Sequence, residues 1–188
     1  MNVFIALLRG INVSGQKNID MKILKELFES LDFINVTTYL QTGNVIFKSK
    51  QKDKDKIKKN IEDAIRNKFG FDVNVLIKTK IEFEKIAKNN PFKDNSQKDK
   101  VFIVFLYEKS EKEILKKLAE IKDENSEFTV KENAIYLYCK NGYGKSKLNN
   151  NFFERKLKIS ATTRNMNSIS NIEDIIKRLE ASTNSHEL

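Results

Sequence analysis

Val36-Thr37-Thr38-Tyr39-Leu40-Gln41-Thr42-Gly43-Asn44-Val45-Ile46-Phe47-Lys48 decides the fold. Two β-branched and aromatic runs, Val36–Gln41 and Val45–Lys48, flank Thr42-Gly43-Asn44, a turn triplet, so the stretch reads as a β-hairpin. Upstream, Asp20 caps a helix whose apolar positions Met21, Leu24, Leu27, Phe28 and Leu31 are three or four apart. Before that, Val3–Leu8 is apolar on both faces, as a central strand is. Downstream, Ile57, Ile61, Ala64, Ile65 and Phe69 form one helical stripe ended by Gly70, and Val73–Ile77 is a closing strand. The order βαββαβ is the split-βαβ, or ferredoxin-like, pattern.

The order then restarts. Thr79-Lys80-Ile81-Glu82 is a capping box opening a short helix, stopped by Asn90-Pro91, and residues 93–100 form a polar connection. Val101–Tyr107 is a strand, and Ser110/Glu113 is a second capping box for a helix bearing Ile114, Leu115, Leu118 and Ile121. Strands Glu127–Val130 and Ala134–Cys139 surround Lys131-Glu132-Asn133. A helix with Leu148, Phe152, Phe153 and Leu157 follows, then a last helix capped by Ser170/Glu173. The expected class is α+β: two ferredoxin-like halves with antiparallel sheets, residues 1–80 and 101–181, the second ending in helices. Residues 81–100 are the connecting helix and linker, and 182–188 a disordered tail.

Composition narrows the function by exclusion. No run approaches the ~18 apolar residues of a membrane span. The lone Cys139 makes no internal disulfide, which fits a reducing cytoplasm, and its bland reading is a small apolar residue at a strand end. The single histidine, His186, lies in the polar tail, so triads and histidine metal centres are not expected, and no Cys-X-X-Cys pair or acidic cluster offers a metal site. No cofactor is expected. The net charge of +9 rests on 30 Lys and only 5 Arg beside 21 Asn, a bias that an A/T-rich genome writes into any protein. Location is more informative. Residues 138–166 carry seven cations against Glu154 alone, while the lysines of 48–59 alternate with Asp53 and Asp55 and read as a solvated helix face.

Two loops carry the chemical signal. Gly142-Tyr143-Gly144-Lys145-Ser146-Lys147 lies between a strand and a helical run, and Gly10-Ile11-Asn12-Val13-Ser14-Gly15-Gln16-Lys17 follows the first strand. Glycine turns followed by lysine hold phosphate with backbone N–H groups and a neutralising cation. Neither is a Walker A loop: Cys139 stands where the first needs glycine, the second brings its lysine one residue late, and no Asp ends the strand Val101–Tyr107. The bland alternative for both is a turn whose glycine supplies φ > 0. Arg9 ends the first strand, Arg164 and Asn165 lie in another small polar segment entering a helix, and Gln41 shares a strand face with Tyr39.

The leading expectation is a phosphate-type pocket for a nucleotide or phosphorylated metabolite, with catalysis left open. In it Arg9, Lys17, Lys145, Lys147 and Arg164 neutralise charge. The amides of Gly10–Gly15 and Gly144–Ser146 cradle oxygens, and Asn12, Gln41, Asn44 and Asn165 line the ligand. One alternative is an RNA- or DNA-binding module, through the basic 138–166 face or by base stacking on Phe4 and Phe47 as RNA-recognition motifs do. Another is a non-catalytic interaction scaffold.

Leu8-Arg9-Gly10-Ile11-Asn12-Val13-Ser14-Gly15, Tyr39-Leu40-Gln41-Thr42-Gly43-Asn44-Val45, Gly144-Lys145-Ser146-Lys147-Leu148 and Thr162-Thr163-Arg164-Asn165 resemble the marker segments of a bacterial family known only as domain of unknown function number 1697. Its members have Gly where Ser14 stands and usually Trp where Met166 stands. The resemblance implies a soluble α+β protein with ferredoxin-like halves and brings no established activity.

Overall fold

The computed structural model describes residues 1–13, 15–131 and 134–184. Among them the chain forms eight strands and six helices. β1 (Asn2–Leu8), α1 (Met21–Glu29), β2 (Ile34–Tyr39), β3 (Asn44–Ser49), α2 (Lys54–Phe69) and β4 (Val75–Thr79) make the first βαββαβ unit. α3 (Lys80–Lys88) leads to β5 (Val101–Leu106), α4 (Lys112–Ala119), β6 (Ser126–Lys131), β7 (Ala134–Cys139), α5 (Asn150–Leu157) and β8 (Ala161–Asn165). α6 (Met166–Asn184) follows. The antiparallel sheets have the same order, β2-β3-β1-β4 and β6-β7-β5-β8. The chain divides into two compact units, one comprising Met1–Glu84 with the chain from Ile172, the other Lys85–Asn171.

In the first unit, alternate residues of the sheet face α1 and α2. Phe4, Ala6, Leu8, Val45, Phe47, Val75 and Ile77 meet Leu24, Phe28, Ile57, Ile61 and Ile65, all essentially removed from water. Phe47 is the hub, with ring centroids 4.4 Å from Phe33 and 5.5 Å from Phe28. Truncating such a side chain costs about 3–5 kcal/mol. Phe4 and Phe47 therefore belong to the helix-side core and present no face for base stacking. The second unit repeats this with Val104, Leu106, Ile135, Leu137, Phe153 and Leu157. α6 returns to the first unit through Lys48, whose Nζ donates to the Leu179 carbonyl at 3.0 Å, and through the Lys80–Glu180 ion pair at 2.6 Å.

The units share details that neither sheet needs in principle. Glu62 on α2 accepts the N–H of Val75, first residue of edge strand β4, at 2.8 Å. Glu154 on α5 does the same for Ala161, first residue of β8, also at 2.8 Å. Arg9 N–H donates to Asn74 O, as Tyr107 N–H does to Ser160 O, both at 3.0 Å. These matched bonds mark a structural duplication and block the same edge amide twice.

The structure departs from the sequence-based expectation in four places. Residues 161–165, read as a polar entry to a helix, are the fourth strand of the second sheet, so that unit closes as βαββαβ; the β-branched pair Thr162-Thr163 supports it. α6 begins at Met166, capped by Asn165 Oδ1 on Ser168 N–H at 2.8 Å, which puts Ser170 and Glu173 inside it, and it continues through 182–184. The Thr79/Glu82 box forms as read, but Glu111 caps α4 without a side-chain bond, while the Ser110 hydroxyl is buried without a partner among the described residues. β2 ends at Tyr39, so Gln41 lies in the turn and shares no strand face with it. Ser14, Glu132, Asn133 and the tail from 185, with His186, lie outside the described residues.

Candidate functional site

Three connections meet at one end of the first sheet: residues 9–19 after β1, the hairpin tip Leu40–Gly43, and residues 70–74 before β4. Ile11 and Ile19 are buried in the core and pin the long loop at both ends. Between them Asn12 acts as a staple. Its Oδ1 accepts Ile19 N–H at 2.8 Å, and its Nδ2 donates to Ile19 O at 3.0 Å and to Gln41 O at 2.9 Å. Asn12 sits at φ 53, a left-handed conformation that Asn tolerates best after Gly. Gly15 (φ 73) completes a turn closed by Gln16 N–H on Val13 O. Lys17 (φ 48) donates from Nζ to Asp72 O at 2.6 Å, which ties the loop to the third connection.

This end of the unit is rich in donors. Lys17 is exposed, and one bond to Asp72 leaves two of its ammonium hydrogens outward. Gln41 Oε1 accepts from Asn12 Nδ2 at 3.2 Å, so the Gln41 amide points its N–H₂ away. The N–H groups of Gly10, Ile11 and Gly15 take no partner among the described residues. Arg9 stands at the start of the loop. The nearby carboxylates are each bonded through one oxygen: Asp20 Oδ1 caps α1 through Lys22 and Ile23 N–H, and Asp72 Oδ1 accepts from the Arg66 guanidinium. Asn44 is fully buried and spends its Nδ2 on Tyr39 O and Thr42 Oγ1, so it holds the hairpin tip instead of lining a surface.

The other expected residues lie in the second unit, at the end of its sheet where β7 and β8 finish. Gly142 has φ 84, whereas Gly144 has an ordinary backbone and free space for a Cβ. Lys145 and Lys147 are exposed. The Ser146 hydroxyl turns inward, 3.0 Å from Ser126 Oγ, and accepts Leu148 N–H at 3.0 Å. α5 starts only at Asn150, capped by Asn149, so no helix N-terminus follows the lysine directly. The turn is closed on itself by Lys145 N–H to Gly142 O and Ser146 N–H to Tyr143 O. Arg164 is buried, donating to Thr162 Oγ1 at 2.8 Å and Thr163 O at 2.9 Å; burial pushes its guanidinium down to about 10, against the opposing effect of Tyr107. Burial likewise raises the Tyr143 hydroxyl, which accepts Asn150 N–H at 2.8 Å and reaches Thr163 Oγ1 at 3.2 Å. Lys140 pairs with Glu127 at 3.3 Å. The basic 138–166 segment thus loses one cation to burial and one to an ion pair.

Sequence reading missed two side chains at the first-unit site. Leu40 is 49 % exposed with φ 58, and Val13 is 55 % exposed. Nothing local in the sequence foretells a left-handed leucine. Among the described residues no group of three His, Cys, Asp or Glu side chains is placed to hold a metal, and no helix is long and apolar enough to cross a membrane.

The paired βαββαβ units define an α+β protein of duplicated ferredoxin-like architecture. The chain belongs to the family described as a protein of unknown function, DUF1697, whose model matches residues 1–136. That range contains the Leu8–Gly15 and Tyr39–Val45 segments and stops before Gly144–Leu148 and Thr162–Asn165. Among solved structures the chain is similar to the conserved bacterial protein SP0830 from Streptococcus pneumoniae, at 18 % identity and a TM-score of 0.73, over 93 % of this chain and 98 % of that one. At that identity the likeness concerns the fold. No curated protein matches.

Proposed function

We propose that the chain binds a phosphate-type anion on the Arg9–Lys17 loop of its first unit. The observation that carries this is the difference between the two copies of one fold. In the second unit, residues 107–110 suffice to lead from Leu106 to the α4 cap. In the first, the same step from Leu8 to the α1 cap takes residues 9–19, four of them at positive φ. The duplicated architecture does not require that extra length. Left-handed non-glycine backbone costs roughly 1–2 kcal/mol per residue, and such strain collects where a site must be pre-shaped. Donors then dominate: three loop amides, the Gln41 N–H₂ and Lys17. An anion is the ligand such a donor-rich loop favours, and the Asn12 staple holds the loop in place before it arrives.

The Gly142–Lys147 turn supports such a reading less, because its hydroxyl faces the core and no helix N-terminus follows its lysine directly. We therefore place the site in the first unit alone. Titrating inorganic phosphate into ¹⁵N-labelled protein tests this. The expected result is amide shifts concentrated at Gly10, Ile11 and Gly15, with affinity about tenfold weaker in Lys17→Asn, a loss of ~1.4 kcal/mol. Asn suits the left-handed position, so the variant removes the charge and the bond to Asp72 while keeping the backbone turn. Shifts elsewhere, or unchanged affinity in the variant, refute the assignment.

A further inference from the structure

We infer that the ligand of this loop is a phosphomonoester with a flat, weakly polar ring attached, of the nucleoside monophosphate class, and not a sugar phosphate or the free anion. The inference rests on the anion site proposed above and concerns what lies beside it. Leu40 and Val13 are both about half exposed. Each adjoins in sequence one member of the Asn12–Gln41 pair, whose bonds at 2.9 and 3.2 Å bring the two loops together. The donor cluster is thus adjoined along the chain by two apolar side chains held in water.

Leu40 carries the most weight. Its φ of 58 is a conformation that bulky residues rarely adopt and that Gly or Asn would take more cheaply. A leucine there leaves apolar surface in solvent at the tip of a hairpin, with no role in the core. Apolar contact with a ligand accounts for both the residue type and its exposure.

The apolar pair separates ligand classes, because a sugar phosphate presents it with hydroxyls whereas an attached ring presents it with an apolar face. What the loops present is donors for a phosphate and an apolar edge for a ring.

Calorimetric titrations with inorganic phosphate, glucose 6-phosphate and adenosine monophosphate, on the wild type, Leu40→Asn and Val13→Ser, test this. The expected order puts adenosine monophosphate about tenfold or more tighter than the other two. Leu40→Asn, which keeps the left-handed turn, should abolish that advantage and leave inorganic phosphate unchanged; Val13→Ser should reduce it in part. Equal binding of the two esters by the wild type, or an undiminished advantage in both variants, overturns the inference while the anion site stands. If none of the three ligands binds, the anion site falls and this inference with it.

Discussion

Replacing Gly43 by alanine probes whether the hairpin tip and the long loop are one packed object. At φ +75 alanine is strained, which costs roughly 1–2 kcal/mol. A Cβ there also lands 2.7 Å from both Leu8 Cβ and Ile11 Cδ1. Leu8 Cβ is fixed by its strand, and Leu8 N–H is bonded to Gly43 O at 2.8 Å, so no side-chain rotation relieves that overlap. Ile11 is buried in the core and has little room to move away. Overpacking of this kind adds about 1–3 kcal/mol, for a total of roughly 2–5 kcal/mol. Gly10→Ala is the control: its φ is +69, nearly the same, but nothing lies within 4 Å of the added Cβ. Equilibrium urea unfolding followed by far-UV circular dichroism should therefore place Gly43→Ala about 1–3 kcal/mol below Gly10→Ala. The displaced Ile11 should carry Asn12 with it, shifting the Asn12 and Ile19 amide resonances in the first variant only. Equal destabilisation by the two substitutions would mean that tip and loop do not touch as described, and the reasoning about the site would lose its frame.

Two further outcomes follow from buried or paired groups. Burial raises Glu82, but the Lys54 ammonium and the Thr79 N–H outweigh it and hold its carboxyl below the ordinary 4.5. A depressed carboxylate stabilises the fold above its unfolded pKa and loses that contribution as pH falls through the folded value. The stability gap between wild type and Glu82→Gln, under about 1 kcal/mol for this part-exposed pair, should thus be present at pH 7 and close below about 4.5; a gap that widens in acid refutes it. Burial raises the Cys139 thiol too, against the lowering contacts of Ser146 and Ser126. At pH 8 an aromatic disulfide reagent should modify it far more slowly in native than in urea-unfolded protein, and equal rates would show that the Ser126–Cys139–Ser146 pocket is open.

Much of the architecture was legible because it is local. Apolar runs marked β1 and β5, stripes at helical spacing marked α1 and α2, and Asp20 and Gly70 bound their helices where the residue types lead one to expect. Misreadings arose where distant contacts decide. The strand 161–165 exists because β5 offers it an edge, and Ser146 faces inward because Ser126, twenty residues earlier, is there to meet it. Arg164 looks like a surface cation in any window of sequence, yet its strand position buries it. At the site the pattern is the same. Gly10 and Gly15 flagged the loop, but the bonds that shape it, Asn12 to Gln41 and Lys17 to Asp72, span 29 and 55 residues.

A chain that builds one fold twice supplies its own comparison. Features present in both copies, such as Glu62 and Glu154 on the edge-strand amides, belong to the duplicated fold itself. Features in one copy alone need another explanation, and each unit has one enlarged connection. In the second it is residues 140–149, where the first has only 50–53; its Ser146 hydroxyl turns inward to Ser126, while Lys145 and Lys147 are exposed. That connection completes its own core. In the first it is residues 9–19, whose side-chain bonds run from Asn12 and Lys17 to two neighbouring connections. Loop length alone would treat the two as equivalent, and so would their glycine and lysine content. The direction of the side-chain hydrogen bonds separates them: one connection turns its serine into its own core, and the other ties three connections of its unit together.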